Sequence, residues 1–177
     1  MYSKLEALYK DYEVQPYISP ERDLESWLLD PKPVPKRNMI LLEDGLLAGD
    51  IILLWRINFG TFTTESWFPK YFEYSYGIDA SKHLEILVEK GYTVVETAFD
   101  SLDHLNATMK KHILKSKSIT GLSKMRAFDL NQALQEHFTE EELALTFKIR
   151  GYRLTTKGEQ ALKNHQSIID RHPKKNL

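Results

Sequence analysis

The chain has 177 residues, with 24 Lys+Arg against 25 Asp+Glu, 42% apolar residues and no cysteine. That balance excludes collagen-like, low-complexity and disordered classes. The missing thiols exclude disulfides, thiolate nucleophiles, iron–sulfur clusters and sulfur-ligated zinc, and they fit a reducing cytoplasm, the compartment expected here. The length suits one ordinary domain or two small ones.

Residues 1–12 mix charges with apolar side chains, so no export signal is read there. Leu5, Leu8, Tyr9 and Tyr12 fall at helical spacing. Ser19-Pro20-Glu21 predicts a helix start, with a hydroxyl cap, proline at the first position and an acid in the first turn; Leu24, Trp27 and Leu28 would face inward. Pro31, Pro33 and Pro35 make PKPVPK an extended connector. Asn38–Leu42 reads as a strand turning at Asp44-Gly45. The apolar run Ile51–Ile57 cannot be assigned by periodicity alone. Neither Met39–Leu42 nor Ile51–Trp55 is long enough to span a bilayer, and no membrane partner is expected. Residues 67–76 (WFPKYFEYSY) hold six aromatics, read as core or protein interface in preference to a base-stacking platform. Asp79 caps a helix carrying Leu84, Leu87 and Val88, Gly91 stops it, and Tyr92–Val95 follows as a strand.

Beyond this point helices are expected. Asp103 would cap the first, with Leu105, Met109 and Ile113 as its buried stripe. Phe128, Leu130, Ala133, Leu134 and Phe138 mark a second. Thr139–Glu142 is a capping box opening a third, through Leu143 and Phe147 to a stop at Gly151. Tyr152-Arg153-Leu154 is short enough for only an edge strand. Thr155 or Thr156 caps a last helix with Leu162, Ile168 and Ile169 inward, and the tail 172–177 is expected to fray. The whole reads as a mainly helical α+β protein.

Charge divides the chain further. Residues 1–97 hold 10 Lys+Arg and 16 Asp+Glu, together with 15 of the 20 aromatics; residues 98–177 hold 14 and 9, with five of six histidines. Two modules follow as the expectation, an acidic aromatic-rich 1–97 making protein contacts or self-associating, and a basic 98–177. From His104 to Phe128 there is no acid at all, while Lys110, Lys111, Lys115, Lys117, Lys124 and Arg126 all fall inside. Such cations grip phosphates, so Lys110, Lys111, Lys115, Lys124 and Arg126 are the candidate nucleic-acid contacts. The alternative is a solvated helix face, or a patch that meets an acidic protein surface.

The order Leu102-x-x-Leu105-x-x-x-Met109, basic helix, Gly121-Leu122, basic loop, Asp129-Leu130 and Leu134 resembles a SAP motif. The flanking PKYFEYSYGID, GYTVV and RLTTKGEQAL are similar to uncharacterised SAP-containing proteins of Gram-positive bacteria and their mobile elements. The resemblance implies a helix–extended loop–helix that binds DNA. It makes Leu105, Met109, Leu122, Leu130 and Leu134 the frame and Lys124 and Arg126 the phosphate contacts of the loop. The loop here reads Met125-Arg126-Ala127-Phe128, without the glycine usual in the family.

No phosphate-binding glycine loop, GxSxG elbow or HExxH is present. Asp100, Asp103 and His104 lie close in sequence, but a capping role for Asp103 leaves little chemistry to the others. His165 and His172, two turns apart, read as a surface stripe. No enzyme, cofactor or metal is expected.

Overall fold

The computed structural model describes residues 2–174. Among them the helices are α1 Tyr2–Tyr9, α2 Leu24–Trp27, α3 Ala48–Ile57, α4 Tyr71–Tyr74, α5 Ala80–Glu89, α6 Ala107–Lys115, α7 Ala127–His137, α8 Glu140–Ala144, α9 Thr156–Asn164 and α10 Gln166–Arg171. Strands β1 Thr93–Val95 and β2 Tyr152–Leu154 pair in a two-stranded sheet, and the chain is a mainly helical α+β protein. No helix among the described residues is long and apolar enough to cross a membrane.

Two compact units emerge, and they do not follow the linear division after Thr97. Unit 1 comprises Met1–Asn58, Trp67–Thr93 and Leu154–Leu177; unit 2 comprises Phe59–Ser66 and Val94–Arg153. The C-terminal segment groups with the N-terminal one because α9 and α10 pack on α3. This regrouping alters the charges. Unit 1 holds fifteen Lys+Arg and sixteen Asp+Glu, and unit 2 holds nine of each. The positive excess of the second half came from side chains such as Lys157, Lys163 and Arg171, which belong to unit 1.

The apolar run of α3 is helical and central. The Leu47 amide donates to Asp50 Oδ2 at 2.8 Å, closing the first turn. Ala48 through Leu54 and Ile57 are all buried. A helix that is apolar on every side needs cover on every side. That cover comes from α5, α9, α10 and the 3₁₀ turn Lys36–Met39. Asp50, itself buried, stands 2.7 Å from His83 Nδ1 on α5, so this carboxylate is not left alone in the core.

The 3₁₀ turn replaces the strand expected at Asn38–Leu42. Asn38 is buried there, with Nδ2 donating to the Ser75 carbonyl at 2.8 Å and Oδ1 accepting from Arg171 Nη2 at 3.2 Å, bonds that a strand ladder would not provide. The turn at Asp44-Gly45 does form, closed by Leu42 N donating to the Leu46 carbonyl at 2.8 Å. The helix expected from Ser19 starts later. Ser19 Oγ accepts from the Glu21 amide in a local turn, and Asp23 caps α2 by accepting from Ser26 N at 3.1 Å. Helix α5 keeps its expected signals: Asp79 caps it, Leu84 and Leu87 are buried, and Gly91 follows at φ +79°.

The aromatic block divides. Phe72 and Tyr76 are buried, whereas Trp67 is 89% exposed. Arg22 lies over Tyr74 at 4.3 Å and Trp27 at 5.1 Å and pairs with Glu73, tying the segment after Ser19 to α4.

The single last helix expected from the sequence is broken at His165, where the backbone turns to φ −123° and ψ 33°. His165 and His172 are not a surface stripe. His165 Nε2 stands 2.9 Å from Asp44 Oδ2, and His172 is buried against Trp55 and Tyr71 with its Nδ1 hydrogen-bonded to the Tyr76 hydroxyl. Burial pushes the Tyr76 phenol up to about 12, so it keeps its proton. Burial pushes the His172 imidazole below its ordinary value, and Lys174 and Arg56 add to that. Part of the tail expected to fray, residues 175–177, lies outside the described residues.

Two outcomes are expected. Gly158 occupies the third position of α9, where an added Cβ would overlap the Tyr92 carbonyl oxygen. Helix propensity alone would favour Gly158→Ala by about 1 kcal/mol. A backbone overlap outweighs it, so the variant should lose roughly 1–3 kcal/mol of stability by urea denaturation, and a gain would contradict the packing. The lowered His172 pKa makes neutral His172 the folded form. The unfolded chain therefore takes up a proton that the folded chain resists, and stability falls as pH drops below about 6.5, toward the folded value. His172→Gln should flatten that slope in melting curves taken across pH.

Candidate nucleic-acid interface

Unit 2 carries its own core of Ala98, Leu102, Ile113, Leu114, Leu122, Leu130, Ala133, Leu134, Phe138, Leu143 and Phe147. The candidate interface is the α6–loop–α7 stretch that supplies most of it. Its first helix starts at Asn106, whose Oδ1 accepts from Met109 N at 2.8 Å; Asp103 instead sits in a 3₁₀ turn, Leu102–His104. An asparagine three residues ahead of that amide satisfies an orphan helix donor, and this sets the register of α6.

The register decides which cations face out. Ile113 and Leu114 are buried, and Lys110 lies three and four residues before them on the same face. Lys110 is accordingly only 5% exposed and does not belong to the outer basic surface expected from sequence. Met109 is 41% exposed, so Leu114 fills the core place expected of it. The other members of the expected frame fare better: Leu122, Leu130 and Leu134 are buried and Leu105 is half-buried.

Lys117 is also committed. Its Nζ donates to the His137 carbonyl at 2.6 Å, pairs with Glu142 and lies 4.4 Å over the Phe138 ring, stapling the end of α6 to the α7–α8 junction. The Lys117 hydrogen bond, and then the Thr139 amide, hold the Glu142 carboxyl below its ordinary range. Thr139 and Glu142 form the reciprocal capping box read from the sequence, but α8 ends at Ala144, before Phe147. Glu140 is engaged as well, accepting from the Ala98 and Phe99 amides at 3.0 and 2.9 Å.

Lys111 is half-buried, and Lys115, Lys124 and Arg126 are exposed. None of the four makes an ion pair among the described residues. Lys111 and Lys115 are four residues apart on one side of α6. Lys124 ends a 3₁₀ turn, and Arg126 stands at the start of α7, its amide donating to Asp129 Oδ2 at 3.0 Å. Phe128, read from the sequence as part of the second helix, lies on α7 and is 76% exposed. Leu130, Ala133 and Leu134 define the buried face of that helix, and a residue two places before Leu130 falls on the opposite side. That helical angle was the signal for Phe128, as the Ile113–Leu114 pair was for Lys110.

The other acid–base candidates are dispersed. Asp100 Oδ2 accepts from Arg153 Nη1 at 3.0 Å. Glu96 and His104 crowd Gly151, where an added Cβ would overlap both side chains. Burial pushes the Glu96 carboxyl up, opposed by His104. Among the described residues no group of three or more His, Asp or Glu side chains stands placed to hold a metal ion.

Comparison with protein-family models, curated proteins and solved structures yields no match.

The α6 register has a measurable consequence. Leu114→Ala should cost roughly 2–5 kcal/mol of stability, as a fully buried leucine. Met109→Ala should stay within about 0.5 kcal/mol, as an exposed side chain. Urea denaturation of both variants decides, and the reverse ordering would place Met109 in the core.

Proposed function

We propose that unit 2 is a DNA-binding module, not an enzyme, and that it holds DNA mainly by its phosphate backbone through Lys111, Lys115, Lys124 and Arg126. One observation carries this reading. Among the described residues these four cations have no ion-pair partner, within a stretch that has no acid from His104 to Phe128. Unpaired ammonium and guanidinium groups attract phosphate oxygens without reading base edges. The helix–loop–helix order of α6, its connection and α7 supports the same reading, since the SAP resemblance implies that order. Lys110 and Lys117 are left out, the first for its burial and the second for its bonds to His137 and Glu142.

A balanced count of nine cations and nine acids in unit 2 is compatible with this, because phosphates respond to the local field within a Debye length of about 8–10 Å. A second reading, contact with a protein partner through unit 1, is favoured by Trp67 and Leu29, which are 89% and 83% exposed.

Fluorescence anisotropy of labelled duplex DNA across a salt series tests the first reading. If about four cations each displace a counterion, log affinity falls against log salt with a slope of roughly −3 to −4. Lys111→Glu/Lys115→Glu should weaken binding and flatten that slope. Equal binding by this variant, or no binding of either duplex or single-stranded DNA at low salt, sinks the DNA reading. Self-association that is lost in Trp67→Ala would instead support the second.

A further inference from the structure

We infer that Phe128 is a stacking platform for an unpaired nucleobase, so that the chain binds single-stranded DNA in preference to duplex. The inference rests on the DNA reading above and deepens it by naming the form of nucleic acid.

Phe128 is 76% exposed at the second position of α7. A phenyl ring left in water forgoes the stabilisation that burial would bring. Among the described residues neither an aromatic ring nor a cation covers its face. No repacking onto the unit 2 core is open to it, because the opposite side of α7 already faces inward through Leu130, Ala133 and Leu134.

Its neighbours define what fits. Lys124 and Arg126, both exposed and without an ion pair among the described residues, lie four and two residues before it. The nearest acid along the chain, Asp129, accepts a hydrogen bond from the Arg126 amide across the first turn of α7. Along the chain the ring is thus flanked by two cations, Lys124 and Arg126, and one acid, Asp129. An apolar protein surface would match the ring but not the cations, and an acidic one would match the cations but not the ring. A nucleic-acid strand offers both, with a flat π face on every base and a negative charge on every phosphate. In a duplex the base faces are stacked inside and only the phosphates are reachable. In a single strand both are available, and stacking on an aromatic side chain is tolerant of base identity.

The test uses the full chain, a labelled oligothymidylate and a blunt duplex of equal length, with anisotropy read across salt. Wild type should bind the single strand more tightly. Phe128→Ala should weaken single-strand binding by roughly 5- to 150-fold while leaving the duplex affinity and both salt slopes unchanged, because stacking is lost but no charge. Phe128→Trp should retain or strengthen the single-strand complex. Circular dichroism should show both variants folded, as expected for so exposed a position. A Phe128→Ala chain that binds the single strand as wild type does, or that loses duplex and single-strand binding equally, overturns the stacking role and leaves the phosphate-backbone reading intact. A wild type that prefers duplex has the same effect. Failure of wild type to bind either DNA at low salt overturns both.

Discussion

Unit 1 depends on one constraint, the burial of α3 on all sides. Seven consecutive residues, Ala48 through Leu54, and Ile57 beyond them are closed to solvent, and no single neighbouring helix can cover a full cylinder. The cover is gathered from distant parts of the chain, with the Lys36–Met39 turn before α3, α5 after it, and α9 and α10 from the C-terminal segment. Hydrophobic burial is non-directional and scales with area, so it sets no limit on sequence separation. Residues 154–174 are thereby bound to the N-terminal elements, and the intervening residues 94–153 build a separate core around α6 and α7.

The same constraint explains the polar chemistry inside unit 1. A carboxylate at the start of so apolar a helix would be costly without partners. Asp50 has two, the Leu47 amide and the His83 ring. Tyr76 and His172 settle together in a comparable way, a neutral phenol hydrogen-bonded to a neutral imidazole, with burial disfavouring the charged form of each. Asn38 bonds both Ser75 and Arg171, the latter 133 residues away in sequence. These bonds are specific where the apolar cover is not, and they fix which turn of each element meets α3.

Charge shows how a linear reading can mislead. Cutting the chain after Thr97 contrasts an acidic half with a basic one, yet each unit is almost neutral. The acid-free stretch from His104 to Phe128 survives the regrouping because it lies wholly within unit 2. Even there, the cations are not equivalent. Lys110 shares the inward face of α6, Lys117 holds the α7–α8 junction, and the remaining four stand without ion pairs among the described residues. A count of lysines gives the sign of the local field, while helical register and local bonding decide which ammonium groups reach solvent.

Local signals were legible in the sequence wherever the physics is local. The Asp79 cap, the Gly91 stop, the Thr139–Glu142 box and the Thr155 cap each act within four residues, and each stands where the residue types place it. The mainly helical α+β class follows from many such signals together. Choices between two local solutions were less legible. Ser19 and Asp23 both offer a cap, as do Asp103 and Asn106, and the later residue prevails each time. The helical state of the apolar α3 run, the burial of Lys110 and the exposure of Met109 and Phe128 needed the partner surfaces. Periodicity ranks the faces of a helix, but only packing against other elements decides which face is covered. The sequence by itself therefore determined the helix caps, the class and the acid-free cationic stretch. The tertiary structure decided the grouping of residues into units, the helix register and the side chains left to meet a ligand, because burial is a property of surfaces brought together from separate parts of the chain.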